Sequence, residues 1–295
     1  MENNGKDCRK KRRKLDDAAR KEAPGRFVKL SKGMVHYEVT GPDTGQTVVL
    51  IHGFTVPGYI WESTFSALGE AGFRTIRYDL YGRGFSDRPQ VLYNHRLFEV
   101  QLTELLDALD VSGPVSLAGL SMGGVISAGY TARYPDRVRA LMLFDPAAVA
   151  SRLSSAMRLR ILPGVGEMWM GLLGNRVCRQ GLCDDLARPE AFPDYFRMFE
   201  TQLAFPGFKR ALLSTLRCGM LENGLPIYRR AGQTGCPTLL VWGREDRIIP
   251  FDGSEKVRAA IPHAQFCPIA NAGHLPHYEQ ADRVNPKVVE FLKSL

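Results

Sequence analysis

The chain has 295 residues, of which 44% are hydrophobic, enough for one large domain with an insertion. Of its +8 net charge, residues 1–26 hold ten Lys or Arg against five Asp or Glu, and the other 269 residues hold 29 basic against 26 acidic side chains. This nearly neutral body excludes a typical nucleic-acid binder, and no apolar run reaches the ~18 residues that a membrane span requires.

The first segment, residues 1–26, is predicted to be a disordered tail because its apolar residues follow neither helical nor strand periodicity. Six consecutive basic residues, 9–14, are typical of nuclear targeting or of attraction to an anionic membrane surface or nucleic acid. The alternative is a solvated extension. No apolar signal segment is recognisable in the sequence, and the six cysteines show no C-x-x-C spacing. We therefore predict reduced thiols and a cytoplasmic location. A Cys178–Cys183 disulfide is the alternative if the protein is exported.

Beyond the tail, strands alternate with helices, which predicts an α/β fold: a mostly parallel sheet with helices on both faces. The lead-in, 27–30 and 34–40, is expected to be antiparallel. The last helix is predicted to start at Asn285 as N-cap and Pro286 as first residue. The remaining predicted strands are 47–51, 74–78, 115–118, 140–144, one that starts at Pro237, and 264–268.

Residues 150–232 are too many for a loop between two strands and are predicted to form an inserted helical cap. The α/β core would then comprise 27–149 and 233–295. The cap is dense in flexible apolar side chains, which predicts a pocket for an uncharged acyl or alkyl group. Its candidate pocket residues are Met168, Trp169, Phe196 and Phe199. Alternatively, basic residues could hold a substrate carboxylate; the candidates are Arg152, Arg158, Arg160 and Arg197.

The most informative motif is Gly119-Leu120-Ser121-Met122-Gly123, between a predicted strand and a predicted helix. A serine with glycine at both second neighbours on such a turn is the nucleophile-elbow pattern. The turn is so tight that a Cβ at either glycine would collide with a neighbouring strand or helix. Ser121 is therefore the candidate nucleophile.

A serine hydroxyl needs a general base and a group that orients the base. His274, in a small-residue loop after the last predicted strand, is the candidate base, and Asp246 is the candidate acid. Asp145 competes with Asp246 for that role. His277 is an alternative base or half of a metal pair, although no Cys, Asp or Glu spacing nearby supports a metal site.

Two backbone N–H groups are predicted to stabilise the oxyanion, those of Phe54 and Met122. Gly53 lets the chain turn so that the Phe54 N–H faces the serine, and His52 is expected to brace this loop. Gly82-x-Gly84 lacks the third glycine of a dinucleotide motif. The predicted chemistry needs neither a cofactor nor a metal.

These motifs together resemble the capped, serine-type esterases of the α/β-hydrolase superfamily. The likeness covers roughly residues 27–295 and includes the segment 79–87. Haloalkane dehalogenases and epoxide hydrolases are less similar because they place Asp where Ser121 stands. Proline iminopeptidases usually have Trp after the serine, where this chain has Met122.

The resemblance implies a carboxylesterase or monoacylglycerol-lipase-like enzyme that acts on a small-molecule ester through Ser121, Asp246 and His274. Alternatives are a C–C bond hydrolase or enol-lactonase with a carboxylate-bearing substrate, a perhydrolase or haloperoxidase side activity, and a non-catalytic ligand receptor.

Overall fold

A computed structural model describes residues 14–149 and 154–295. Within these ranges, eight strands form one sheet in the order β1-β2-β4-β3-β5-β6-β7-β8. The strands are β1 (Arg26–Leu30), β2 (Gly33–Thr40), β3 (Thr47–Ile51), β4 (Arg74–Tyr78), β5 (Val115–Leu120), β6 (Val138–Phe144), β7 (Thr238–Gly243) and β8 (Gln265–Ile269).

The helices of the described residues follow the strands in alternation, apart from one long helical insert. They are α1 (Asp17–Lys21), α2 (Glu62–Glu70), α3 (His95–Ala108), α4 (Met122–Arg133), α5 (Ser155–Arg160), α6 (Val165–Leu172), α7 (Gly174–Asp185), α8 (Pro193–Ala204), α9 (Phe208–Arg217), α10 (Leu225–Gln233), α11 (Gly253–Ala260), α12 (Pro276–Glu279) and α13 (Ala281–Lys293). Short 3-10 helices cover Gly58–Trp61, Pro135–Arg137 and Pro189–Ala191.

The sheet is parallel from β4 to β8 in spatial order, and β1 and β2 are antiparallel, as the sequence predicted. Alternate residues of one strand are buried on opposite faces. In β3, Val49 and Ile51 join the core beneath α3 and α4, whereas Val48 and Leu50 join the core beneath α2 and α13. Burial on both faces explains why these strands are continuous apolar runs.

The insert between β6 and β7 contains six helices within the described residues, but the last belongs to the core. Helix α10 packs on α4 and α11, and the Tyr228 hydroxyl donates a hydrogen bond to the Ala147 carbonyl at 2.7 Å. The helices that can cover the sheet edge are therefore α5 to α9. The predicted boundary at residue 232 places α10 in the cap, whereas in the structure α10 packs on the helices α4 and α11 of the core.

Residues 1–13 of the predicted tail lie outside the described residues. The rest of that segment is folded against the body: α1 forms a helix, and the Arg20 guanidinium donates to the Asp87 carboxylate at 2.6 Å. The strand β1 already begins at Arg26. The fold therefore starts inside the segment that the sequence assigned to the tail.

The C-terminal helix begins earlier than predicted. Because α13 starts at Ala281, Asn285 and Pro286 lie inside it. The Asn285 side chain does not cap the helix; it accepts a hydrogen bond from Thr64 Oγ1 at 2.9 Å and donates to the Ser63 carbonyl. The prediction was wrong because Asn and Pro favour a helix start but do not require one.

No helix in the described residues is both long enough and apolar enough to cross a membrane. The five cysteines of this part of the chain, Cys178, Cys183, Cys218, Cys236 and Cys267, have free thiols.

Candidate active site

Ser121 occupies a strained turn between β5 and α4. Its φ of 52° and ψ of −116° lie outside the regions that L-residues favour. The turn is held by hydrogen bonds from the Ser121 N–H to the Phe144 carbonyl at 2.9 Å and from the Ala147 N–H to the Ser121 carbonyl at 3.0 Å. Such strain persists only where surrounding structure enforces it, and it is concentrated at functional sites.

The two glycines of the motif are required by close backbone contacts. A Cβ on Gly119 would collide with the backbone of Gly123, and a Cβ on Gly123 would collide with the carbonyls of Ile51 and His52. The helix therefore approaches the ends of β3 and β5 more closely than any side chain at these positions would permit. This geometry agrees with the sequence-based expectation that a Cβ at either glycine would collide with a neighbouring strand or helix.

His274 lies in the loop after β8, and its side chain is almost wholly buried. Its Nδ1 is 2.8 Å from Asp246 Oδ2. Because a carboxylate can only accept, Nδ1 carries the proton and Nε2 is left without one in the neutral ring. Burial lowers the pKa of His274, but the charge and hydrogen bond of Asp246 outweigh burial and raise it above 6.5.

Two carboxyl groups, of Asp145 and Asp246, lie near this histidine and differ in what they bind. Asp246 Oδ1 accepts hydrogen bonds from the N–H groups of Ile248 and Ile249, at 2.8 and 2.9 Å. These bonds leave Oδ2 for His274. Asp145 Oδ1 accepts from the Gly243 N–H at 2.9 Å. Burial, and then the charge of Asp246, raises the pKa of Asp145 well above its ordinary value.

Asp145, Asp246 and His274 are also the one group of three side chains with metal-ligand spacing in residues 14–149 and 154–295. A metal ion there would have to replace the hydrogen bond between Asp246 and His274. The raised pKa of Asp145 also disfavours metal binding, because metal ligands bind deprotonated. The geometry suits a hydrogen-bonded chain better than a metal centre.

The loop after β3 approaches the serine through Gly53, because a Cβ on Gly53 would lie 3.3 Å from the Ser121 Cβ. His52 braces this loop from behind: its Nδ1–H donates to the Gly53 carbonyl and its Nε2 accepts from the Leu80 N–H, both at 2.9 Å. Burial lowers the pKa of His52 to about 4, so the ring is neutral. This bracing agrees with the role expected from the sequence.

Arg83 supports the same loop, a function that the sequence analysis missed. Its side chain is fully buried, with Nε donating to the Phe54 carbonyl at 2.9 Å. The other end of the guanidinium donates to Thr215 Oγ1 of α9 at 3.0 Å. Burial lowers the pKa of Arg83 to about 9. Arg83 thus ties the Phe54 loop to the helical insert; its only sequence signal was its place in the segment 79–87.

His277, the alternative base, is buried in the core. Its ring stacks on Trp61 at 4.0 Å between centroids and packs against Phe144. Burial lowers the pKa of His277 to about 3. Its side chain is therefore a neutral core ring.

Ser121 and His274 face one cavity of about 700 Å³ between the sheet edge and the insert. Gly53 and Phe54 line it from the core. Apolar residues of the insert form much of the opposite wall; they include Met157, Trp169, Met170, Val177, Leu212 and Leu216. Most of the lining surface is apolar, as the sequence predicted for this pocket.

Of the four predicted pocket residues, only Trp169 lines this cavity. Met168 is 62% exposed, because neighbouring residues of a helix point about 100° apart. Phe199 is fully buried against Phe208 inside the insert, and Phe196 packs edge-on against Tyr195. The prediction was wrong for these three, because apolar composition does not tell which helix face meets the cavity.

Asp185 is the unexpected residue of the cavity wall. It is the last residue of α7 and lines the cavity together with Ser121 and His274. Its Oδ2 accepts a hydrogen bond from the Tyr195 hydroxyl at 2.6 Å, and its carbonyl accepts from the His274 N–H at 2.8 Å. Burial raises the pKa of Asp185 to about 6, although nearby His274 and Tyr195 lower it. Nothing in the sequence marks this acidic residue of the helical insert as part of a cavity wall.

The candidate cap arginines do not line the cavity where they are described. Arg158 and Arg160 are exposed on α5, and Arg197 is exposed and pairs with Asp194. Arg152 lies outside the described residues. Lys256 is the one Lys or Arg of the described residues in the lining, and it is exposed on α11 next to the exposed Asp252.

A family model described as the alpha/beta hydrolase fold matches residues 46–281. The AB hydrolase superfamily protein YisY of Bacillus subtilis (strain 168) is 26% identical over 284 residues, 92% of this chain and 100% of that protein. The 2-hydroxy-6-oxononadienedioate/2-hydroxy-6-oxononatrienedioate hydrolase of Comamonas testosteroni is also 26% identical, over 90% of this chain and 96% of that protein. A thermophilic esterase from Thermogutta terrifontis superposes with a TM-score of 0.78 at 26% identity, covering 92% of this chain and 99% of the esterase chain.

Proposed function

Since the chain belongs to the alpha/beta hydrolase fold family, we propose that it is a serine hydrolase that cleaves carboxylic esters through an acyl-enzyme. The observation that carries this proposal is that His274, which is hydrogen-bonded to Asp246, lines the same cavity as Ser121. In this proposal α5 to α9 act as the cap, which holds the acyl or alkyl group against the serine.

In the proposed mechanism, His274 Nε2 takes the proton of the Ser121 hydroxyl as the oxygen attacks the ester carbonyl. Asp246 keeps the proton on Nδ1 and stabilises the imidazolium that forms. His274 then gives its proton to the departing alcohol. Water attacks the acyl-enzyme in a second cycle, with His274 again as base, and the carboxylic acid leaves.

The oxyanion is assigned to the N–H groups of Phe54 and Met122. Neither N–H donates a hydrogen bond to another of the described residues, which leaves both for a ligand. Arg83 and His52 hold the Phe54 loop from behind, so the donor is fixed before substrate arrives. Fixed donors of this kind contribute roughly 2.7–4 kcal/mol each to the stabilisation of the transition state.

The charges of the cavity favour a neutral ester over a dioate. The Comamonas testosteroni relative is named for a dioate, which carries two carboxylates. In the described residues, this cavity presents a carboxyl group beside His274, and its one lysine is exposed. A carboxylate inside the cavity would therefore meet Asp185 rather than a buried cation.

We expect kcat/KM for a neutral ester to rise with pH, with a midpoint above 6.5. The base must be neutral to accept a proton, and the pKa of His274 is raised, so activity declines as pH falls through that value. The check is a pH profile of p-nitrophenyl butanoate hydrolysis between pH 5 and 9. A midpoint below 6.5, or a flat profile, would argue against His274 as the base.

The proposed function is tested with p-nitrophenyl esters of two to twelve acyl carbons, with Ser121→Ala protein as the blank. We expect serine-dependent turnover with an optimum at a definite acyl length, because an apolar cavity of limited volume favours added methylenes only until it is full. A mono-ester of a dicarboxylic acid should be slower than the neutral ester of equal length. Turnover only of carboxylate-bearing substrates would instead support the C–C hydrolase or enol-lactonase alternative.

A further inference from the structure

Asp185 sits where an ionisable side chain is unfavourable for the fold. It ends α7, and the carboxyl end of a helix carries partial negative charge that repels a carboxylate. It shares the cavity wall with apolar residues such as Met170, Cys178 and Leu212, and such an environment is unfavourable for a charge. Among the described contacts within the insert, accepting a hydrogen bond from the buried Tyr195 hydroxyl is the one role that this carboxylate has.

The hydrogen bonds of this carboxyl group leave part of it available. In the described residues, the Tyr195 hydroxyl is its one donor, and it binds Oδ2. Oδ1 has no donor in this part of the chain, although a carboxylate can accept about four hydrogen bonds. Because Asp185 lines the cavity, a ligand in the cavity can supply the missing donor.

The position of the side chain relative to the reacting groups is fixed by the backbone. The Asp185 carbonyl accepts from the His274 N–H at 2.8 Å, and a Cβ on Gly273 would collide with the Asp185 carbonyl and the Ala187 N–H. Glu279 strengthens this junction by accepting from the N–H groups of Ala187 and Gly273, at 2.8 and 2.6 Å. The end of α7 is therefore attached to the loop that carries His274.

We infer that Asp185 is a specificity-determining residue that selects ligands with a hydrogen-bond donor, a hydroxyl or an ammonium group, close to the scissile ester. The same carboxyl group discriminates against ligands that carry a carboxylate. The scissile ester in this inference rests on the proposed function. The preference of the cavity for hydrogen-bond donors does not depend on turnover.

The test is direct binding by calorimetry, which needs no catalysis and so separates this inference from the proposed function. The probes are hexylamine, hexan-1-ol and hexanoate at pH 7.5, which share one apolar chain and differ in the end group. Wild-type protein should bind hexylamine or hexanol about tenfold or more tightly than hexanoate, since a hydrogen bond to a charged group is strong in an apolar site. A preference for the amine over the alcohol identifies charge as the main feature; equal binding identifies hydrogen bonding.

The variant Asp185→Asn keeps the shape and can still accept from Tyr195, but it removes the charge. It should reduce the preference for donors over hexanoate to less than about threefold. Asp184→Asn is the matched control, because it removes the same charge from a neighbour that does not line the cavity; it should retain the wild-type ranking. Hexanoate binding to wild-type protein as tightly as hexylamine and hexanol would overturn the inference, whether or not the variant folds. An unchanged preference in folded Asp185→Asn would overturn it as well.

Discussion

Ser121→Ala is expected to lower kcat for ester hydrolysis by about 10⁴-fold or more, towards the ~10⁶-fold loss seen when a serine hydrolase loses its nucleophile. In the proposed mechanism the Ser121 hydroxyl oxygen attacks the ester carbonyl, and alanine removes it. The fold should be unaffected, because the turn is held by the backbone of residue 121, not by its side chain. The measurement is turnover of p-nitrophenyl butanoate with circular dichroism and thermal unfolding of both proteins.

Ser116→Ala is the matched control for this variant. Ser116 lies in β5, the strand that leads to Ser121; it is fully buried, and its hydroxyl has no hydrogen-bond partner in the described residues. Removing that hydroxyl should leave turnover and stability close to wild type. If Ser121→Ala protein keeps even a tenth of wild-type activity, Ser121 is not the nucleophile.

Asp246→Asn and Asp145→Asn should differ in activity by about three orders of magnitude or more, although the two substitutions are chemically identical. Asp246 is the group hydrogen-bonded to His274, and an amide there would favour the wrong tautomer, which costs about 10⁴-fold in kcat in comparable triads. Asp145 has no hydrogen bond to His274 in the described residues, burial and the charge of Asp246 raise its pKa, and Asn resembles the protonated carboxyl group in shape. Asp145→Asn should therefore change kcat by less than about fivefold.

This pair of variants discriminates between the two acids that the sequence left open. Both proteins should be compared at pH 7.5 by kcat and by thermal unfolding, so that a folding defect is not read as a catalytic one. A large loss in Asp145→Asn with a small loss in Asp246→Asn would assign the acid to Asp145, and the His274–Asp246 hydrogen bond would then be structural.

The parts of the fold and site that the sequence predicted are those with a local signature. The Gly119-to-Gly123 motif predicts its own geometry, because the collisions that exclude a Cβ occur within one strand-to-helix turn and the adjacent strand ends. The parallel sheet was predictable because strands buried on both faces are continuous apolar runs. The alpha/beta hydrolase fold family match confirms that part of the prediction.

The parts that the sequence missed depend on how distant segments meet. Asp185 reaches the wall of the cavity because the end of α7 packs on Gly273. Arg83 supports the Phe54 loop because its guanidinium bonds both Phe54 and Thr215. Neither contact leaves a spacing pattern. The wrong choice of Met168 has the same origin, since composition describes the whole insert while the cavity selects single helix faces.

The central claim, that Ser121 becomes covalently acylated, is tested most directly by mass spectrometry after reaction with a p-nitrophenyl phosphate triester. Such a reagent phosphorylates an activated serine, and the adduct is too stable to turn over. We predict one adduct per chain on the peptide that contains Ser121, loss of activity in proportion to labelling, and no adduct on Ser121→Ala protein. Labelling at another residue, or an unlabelled wild-type protein that still hydrolyses esters, would contradict the account.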